Sequence, residues 1–451
     1  MHKPRLGIRP IRVLPLGFVV VILTGALLLM LPISSKDGSS LSFVNALFTA
    51  TSASCVTGLV VVDTGTYFSL FGQIVVILLI QLGGLGIMTI SMILFALTGR
   101  RISLHDRLSM AEGLGESRLQ GVVRLARGAL IVTGVFELAG AILLSFRFIP
   151  QYGVVKGIWY ALFHSISAFC NAGFDLLGGY RSFTGYNTDA FFLFVIMTLI
   201  VGGGLGFGVL LNVWRQRDFR RLRLHSKMVL TGTVVLILFG MLSFLIIEYD
   251  NPNTIGNMPF LQKVLNSLFQ SITLRTAGFN TIDEYSLHDA SKGISVVLML
   301  IGAGPAGTAG GLKITTIFTL ILAVRAYIRG RFDTVVFGRT ISLDQVRRAL
   351  TIFFFGLVFV MGMTIALSVV EQDNAAGALG IMNQLFETTS AFCTVGVSSG
   401  VTLASGTASR VILILLMYAG RVGLLTVAMS LIEGTTKEAV LHYPQEEILI
   451  G

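Results

Sequence analysis

The stretches LFTATSASCVTGL (residues 47–59), LFHSISAFCNAGF (162–174), LFQSITLRTAGF (268–279) and LFETTSAFCTVGV (385–397) are copies of one pattern. Each opens on Leu-Phe and carries Ser or Thr five residues after the leucine: Ser52, Ser167, Thr273 and Ser390. A glycine follows five or six residues later: Gly58, Gly173, Gly278 and Gly396. All three cysteines, Cys55, Cys170 and Cys393, stand three residues before that glycine, where the third copy has Arg275. Such recurrence marks an internal repeat, which divides the chain.

Around these copies the sequence is apolar. Of 451 residues 54% are hydrophobic and 12% charged, with a mean hydropathy of +0.82. A water-soluble surface needs more charge than that. Residues 14–35, 64–99, 190–214, 228–247, 293–312 and 349–370 contain no Asp, Glu, Lys or Arg, while 128–146 holds only Glu137 and 411–432 only Arg421. Each stretch approaches or exceeds the roughly 20 helical residues that cross a bilayer core. The first ends at Leu31-Pro32 without a small-residue cleavage signal and reads as a retained helix. Three cysteines make no disulfide framework and no zinc spacing.

The expected fold is all-α and integral to the membrane: eight transmembrane helices in four repeats of span, pore loop and span around a pseudo-fourfold pore. The repeats divide as 11–99, 100–214 with a basic linker at 100–119, 215–330 with a basic linker at 215–227, and 331–433. Residues 1–10 form an N-terminal segment and 434–451 a short tail. The net charge of +10 gathers at the N-terminus, at Arg100-Arg101, at 215–227 and at 325–339. The positive-inside rule makes these segments cytoplasmic, which accounts for the charge without nucleic acid. An even number of crossings per repeat gives every repeat the same orientation.

The short motif is re-entrant. Residues 157–170 reach only about half way through a bilayer as helix. Non-helical backbone at that depth survives only where protein or a water-filled space surrounds it, and loops around a shared axis meet that condition. Backbone carbonyls can replace the water of a monovalent cation, and glycine admits the positive φ that aims them one way. The candidate filter is Val56-Thr57-Gly58, Asn171-Ala172-Gly173, Thr276-Ala277-Gly278 and Thr394-Val395-Gly396. Each short helix offers the partial negative charge of its C-terminus, and no ring of acids stands at filter level.

These residues, with RTAGF at 275–279, the glycine-rich second spans and GRVGLLT at 420–426, resemble the Ktr/Trk/HKT superfamily of potassium transporters, most closely its KtrB-type subunits. The resemblance covers nearly the whole chain. It implies a plasma-membrane potassium-uptake subunit, not an enzyme, with glycine at all filter positions favouring K+ over Na+. It implies a homodimer with a pore in each protomer, and a KtrA/TrkA-like cytosolic ring of nucleotide-binding regulatory subunits. No cofactor is expected in this chain, and membrane lipids are its surroundings. Sodium as a coupling ion, in a symporter of the same fold, stays an open alternative. The tail at 434–451 is implied to meet the neighbouring protomer.

Gly302-Ala303-Gly304-Pro305-Ala306-Gly307 fits G-x-G-x-x-G, but no strand precedes it and no acid follows at the right distance. A broken membrane helix suits it better. The resemblance implies a gating loop beneath the filter, formed by Gly302, Gly304, Pro305, Ala306, Gly307, Thr308, Gly310, Gly311 and Lys313. In the other glycine-rich spans, Gly83-Gly84-Leu85-Gly86, 202–206 and 420–423, close helix packing is the expected role. Arg421 is expected to project into the pore below the filter and raise the barrier for cations, the competing reading being an ion pair with Glu387 or Glu137. Glu137, Glu387 and Arg275 are expected to partner buried polar groups, and His164 to be a packed, hydrogen-bonded residue. Asp63 and Asp283, just outside two filters, either concentrate cations or are solvated loop charges. A solute transporter would need inverted repeats, and an enzyme a convergent cluster of titratable groups; neither pattern is present in the sequence.

Overall fold

The computed structural model describes residues 10–86, 122–424 and 426. The first unit is α1 (Pro10–Met30), α2 (Phe43–Ser54) and α3 (Leu70–Leu85). The second is α4 (Val122–Tyr152), α5 (Val154–Phe169), α6 (Ala190–Gly204) and α7 (Phe207–Gln216). The third is α8 (Leu224–Ile247), α9 (Phe260–Thr273), α10 (Asp289–Leu300) and α11 (Ile314–Ile328). A small antiparallel hairpin, β1 (Thr334–Val336) and β2 (Arg339–Ile341), then leads into α12 (Leu343–Val370), α13 (Ile381–Phe392) and α14 (Thr407–Val422). The N-terminal nine residues, the linker at 100–119 and the tail at 434–451 lie outside the described residues.

The opening helix of every unit is continuous and apolar: Val13–Met30, Ala126–Tyr152, Leu224–Ile247 and Leu343–Val370 are each long enough to cross a bilayer. Their outward side chains, such as Val20, Leu138, Ile246 and Ile365, stay exposed as a chain in contact with lipid requires.

The closing spans differ from the sequence expectation. None is one uninterrupted helix of bilayer length among the described residues. α6 and α7 meet at 99°. α3 and α14 stop after 16 residues each, and α10 ends at Leu300. The expectation that three of the four glycine-rich stretches merely permit close packing is therefore incomplete. Gly86, Gly206 and Gly423 take φ of 78°, 92° and 93°, where a right-handed helix cannot continue. Close packing holds as well. A Cβ on Gly83, Gly203 or Gly420 would collide with the carbonyl of Ser54, Phe169 or Phe392, at the last residue of a short helix.

In each unit the short helix lies against the opening span, as α1 on α2, α4 on α5, α8 on α9 and α12 on α13. Each closing span also touches the short helix of the next unit: α3 on α5, α6 on α9, α10 on α13 and α14 on α2. The last pairing returns to the start, so the contacts form a closed cycle. The motif phenylalanines Phe48, Phe163, Phe269 and Phe386 are all fully buried, which gives the Leu-Phe signature its packing role. The residue that precedes each closing helix is also tied to the last turns of its opening span or the residues just after it. Ser69 N–H donates to Ser34 O (2.9 Å), Asp189 pairs with Arg147 (3.0 Å), His288 N–H donates to Glu248 (3.0 Å) and Gly406 N–H to Glu371 (2.7 Å).

Candidate functional site

The short helices are capped at their C-termini by Cys55, Cys170, Leu274 and Cys393, and the chain then reverses its handedness. Val56, Asn171, Thr276 and Thr394 have φ of 58°, 59°, 71° and 51°, and Gly58, Gly173, Gly278 and Gly396 have 99°, 71°, 84° and 96°. Three of those non-glycine residues are β-branched, for which this region is costly, so the surroundings must impose it. They do so through the motif Ser or Thr. The backbone carbonyls of Ser52, Ser167, Thr273 and Ser390 each accept the N–H of the residue before the glycine, at 2.8 Å in every copy. The side-chain oxygens of Ser52 and Ser390 accept the glycine N–H (3.1 and 3.0 Å), while Ser167, Thr273 and Ser390 donate to Phe174, Phe279 and Val397 carbonyls.

The third copy absorbs its missing residue in the helix. α9 ends at the motif Thr273 itself, whereas α2, α5 and α13 run two residues past the motif Ser. Counting back from the glycine pairs Arg275 with the cysteines, but the helix-capping position they occupy is filled by Leu274. Thr276-Ala277-Gly278 thereby keeps the geometry of the other loops.

The glycines converge. A Cβ on Gly58 would lie 2.6 Å from Ala172 O and 3.0 Å from Gly173 Cα; one on Gly173 would lie 2.9 Å from Gly278 Cα and 3.0 Å from Ala277 O. One on Gly278 would lie 2.6 Å from Val395 O, and one on Gly396 would strike Thr57 O. The carbonyls of Thr57, Ala172, Ala277 and Val395 thus each lie against the glycine of a neighbouring loop, and the four approaches close a cycle. Immediately outside lies a cavity of about 220 Å³ lined by all four glycines together with Asp63, Asp175, Asp283 and Glu284.

The segment 301–313, between α10 and α11, is tucked behind these loops. Gly304 N–H and Thr308 N–H donate to Gly204 O (2.8 Å) and Gly203 O (3.2 Å), Ala306 O accepts from Phe207 N–H (3.0 Å), and Thr308 Oγ1 donates to Phe169 O (3.1 Å). Gly302 sits against Gly310 and Leu312 carbonyls and near Thr276, and Gly307 against Gly203 and Gly206. A Cβ on Gly206 would meet Pro305 O, one on Gly310 would strike the Thr394 hydroxyl, and one on Gly311 would come 3.0 Å from Cys393 Cβ. Lys313 curls back to donate to Ala309 O (2.8 Å) and Gly310 O (3.0 Å). Arg421 spans two units, donating to Thr308 O on this segment and to Gly83 O on α3. No ion pair joins Arg421 to Glu137 or Glu387 among the described residues.

A model of the TrkH family, described as cation transport protein, matches residues 13–438. This chain belongs to the TrkH family. The Ktr system potassium uptake protein B of Bacillus subtilis is 41% identical over 98% of this chain and 97% of that protein. The potassium/sodium uptake protein NtpJ of Enterococcus hirae is 39% identical over 100% and 99%. The crystal structure of the potassium transporter TrkH from Vibrio parahaemolyticus superposes with a TM-score of 0.73 at 17% identity, covering 96% of this chain and 86% of that one, a likeness of fold. The TrkH-family chain is thus a multi-pass membrane protein of an ion-transporter family, not an enzyme.

In this TrkH-family chain Asp63 and Asp283, singled out from the sequence, share this cavity with Asp175 and Glu284, which lack a common motif position and were not. Asp63 is not a solvated loop charge: it is buried, accepts from Thr66 N–H (2.7 Å) and accepts from Tyr180 N–H of the next unit (2.8 Å). Burial pushes the Asp175 carboxyl up to about 6 and Glu284 up to about 8, the latter against the Gln270 amide, whose hydrogen bonds to the carboxylate pull it down. Of the expected polar partners, Glu137 accepts from Gln81 (3.2 Å), Arg275 donates to Thr233 O (3.5 Å), and His164 is fully buried between Tyr160 O and Leu176 N–H.

Proposed function

We propose that this chain carries K+ across the plasma membrane through a pore whose filter is formed by Val56-Thr57-Gly58, Asn171-Ala172-Gly173, Thr276-Ala277-Gly278 and Thr394-Val395-Gly396. The carrying observation is the convergence of the Thr57, Ala172, Ala277 and Val395 carbonyls on neighbouring glycines. Uncharged oxygens at this density suit a dehydrated monovalent cation, and the helix C-termini behind them favour positive charge. The acid-lined outer cavity would raise the local cation concentration. Relatives named for potassium uptake and for potassium/sodium uptake support the ion class, and the second name favours sodium as an accompanying ion.

In this reading the chain comprises eight membrane spans in four parallel repeats, with the N-terminus and basic linkers in the cytoplasm. The segment Gly302 to Lys313 is the gate, and Arg421 holds it shut beneath the filter. A homodimer and a cytosolic nucleotide-binding ring complete the working assembly. The names of the Ktr system proteins support a multicomponent system.

The test is growth of a cell lacking its own potassium uptake on limiting K+, with the native chain and with Gly58→Ser. A Cβ at Gly58 meets Ala172 O at 2.6 Å and its φ of 99° strains any L-residue. The native chain restores growth; the variant loses restoration or makes the cell sensitive to sodium. Restoration by both chains alike, at equal protein levels, removes the filter assignment.

A further inference from the structure

The residue after Leu-Phe occupies one register in all copies: Thr49, His164, Gln270 and Glu387. Each stands three residues before the motif Ser or Thr, on the short helix. His164 Nε2 accepts the N–H of Leu176, three residues past Gly173 (3.2 Å). Glu387 Oε2 accepts the N–H of Ser399, three residues past Gly396 (3.0 Å). Gln270 binds both carboxylate oxygens of Glu284, farther along the same loop (2.8 and 2.9 Å). Thr49 turns back to Asn45 O. Three copies therefore anchor the strand leaving the filter to the helix entering it, each with different chemistry.

Glu387 makes the densest of these anchors. Oε1 accepts from Ser398 Oγ (2.7 Å), Thr402 N–H (3.1 Å) and the Thr402 hydroxyl, while Oε2 accepts from Ser399 N–H (3.0 Å). The carboxylate is fully buried and does not line the outer cavity, whereas Ser398 and Gly400 do. Each oxygen faces a backbone N–H that cannot reverse its role. An amide in either orientation would set its NH2 against one of them. The site demands two acceptor oxygens.

We propose that Glu387 is a positioning residue for ion selectivity: from behind the filter it fixes the height and spacing of the Val395 and Gly396 carbonyls through Ser398, Ser399 and Thr402. This rests on the filter reading above. Holding a carbonyl ring at the larger ion's spacing is one way a filter discriminates between cations, and beyond the Ser390 bonds to Gly396 and Val397 the fourth loop's outgoing segment is held by this carboxylate at Ser398, Ser399 and Thr402. His164 and the Gln270–Glu284 pair do the same for their loops by weaker or neutral bonds.

The test measures uptake of radioactive rubidium and sodium by cells expressing the full chain and lacking their own potassium uptake. The readout is the rubidium-to-sodium ratio, which a change in protein amount does not move. Glu387→Gln, one atom different, is expected to lower the ratio about tenfold, the scale of one charged hydrogen bond. Glu371→Gln, at an equally buried carboxylate remote from the filter, should alter the amount of protein but not the ratio. If Glu387→Gln does not reach the membrane, Thr402→Val removes one donor and should lower the ratio less steeply. An unchanged ratio in the Glu387 or Thr402 variant, while Gly58→Ser changes it, overturns the positioning role alone. A native chain without discrimination, or a ratio indifferent to Gly58→Ser, overturns the filter reading instead.

Discussion

At the scale of single residues, the chain concentrates unfavourable backbone next to the four converging glycines. Val56, Thr276 and Thr394 each sit at positive φ, at a cost of about 1–3 kcal/mol apiece. The motif serine returns part of that. Ser390 both accepts from Gly396 N–H and donates to Val397 O. Ser390→Ala strands those two buried groups, and we expect a loss of about 1–3 kcal/mol for each. Thermal unfolding in detergent should show it as a lower midpoint, with uptake of K+ impaired; an unshifted midpoint would refute it. The importance of Ser390 and Gly396 was legible from recurrence alone. That His164 and Glu387 are buried, hydrogen-bonded residues was also expected, but which groups they hold was not, since Thr49, His164, Gln270 and Glu387 share a position but no chemistry.

Among the elements, the broken closing spans carry the interest. Gly420 lies against Phe392 O so closely that no Cβ fits. Gly420→Ala must part α14 from the end of α13, and we expect reduced protein in the membrane and slower uptake. Arg421, one residue on, latches the 301–313 segment to α3 through Thr308 O and Gly83 O. Arg421→Ala loses two charged hydrogen bonds of about 1.5–3 kcal/mol each, enough to shift a gate equilibrium tenfold or more. Rubidium flux into liposomes should rise accordingly; unchanged or lower flux at equal protein refutes the latch. The sequence showed that this third span is broken, through its length of glycine and Pro305. It did not show the right-angled bend after α6, because a short glycine run serves packing and breaking equally well.

For the whole molecule, the cycle of contacts from α3 on α5 round to α14 on α2 creates both the ring of glycines and the cavity outside it. That cavity gathers acids from different units, so its charge depends on the pH of the solution it faces. Asp175 and Glu284 are protonated below about 6 and about 8 and ionise as pH rises. In the proposed pore the mouth therefore becomes more negative with rising pH, and the KM for K+ should fall roughly threefold across that interval, in one step near 6 and a second near 8. Asp175→Asn should flatten the part near 6; an unaltered profile would exclude the residue. By itself the sequence determined the membrane class, the fourfold recurrence of the motif and the glycine that each copy carries, because hydropathy, period and a side-chain-free residue are local properties. Only the tertiary structure decided which oxygens those glycines approach, what Arg421 binds and which acids share the mouth. Those pairings join residues hundreds of positions apart, and they exist only once the units close on one another.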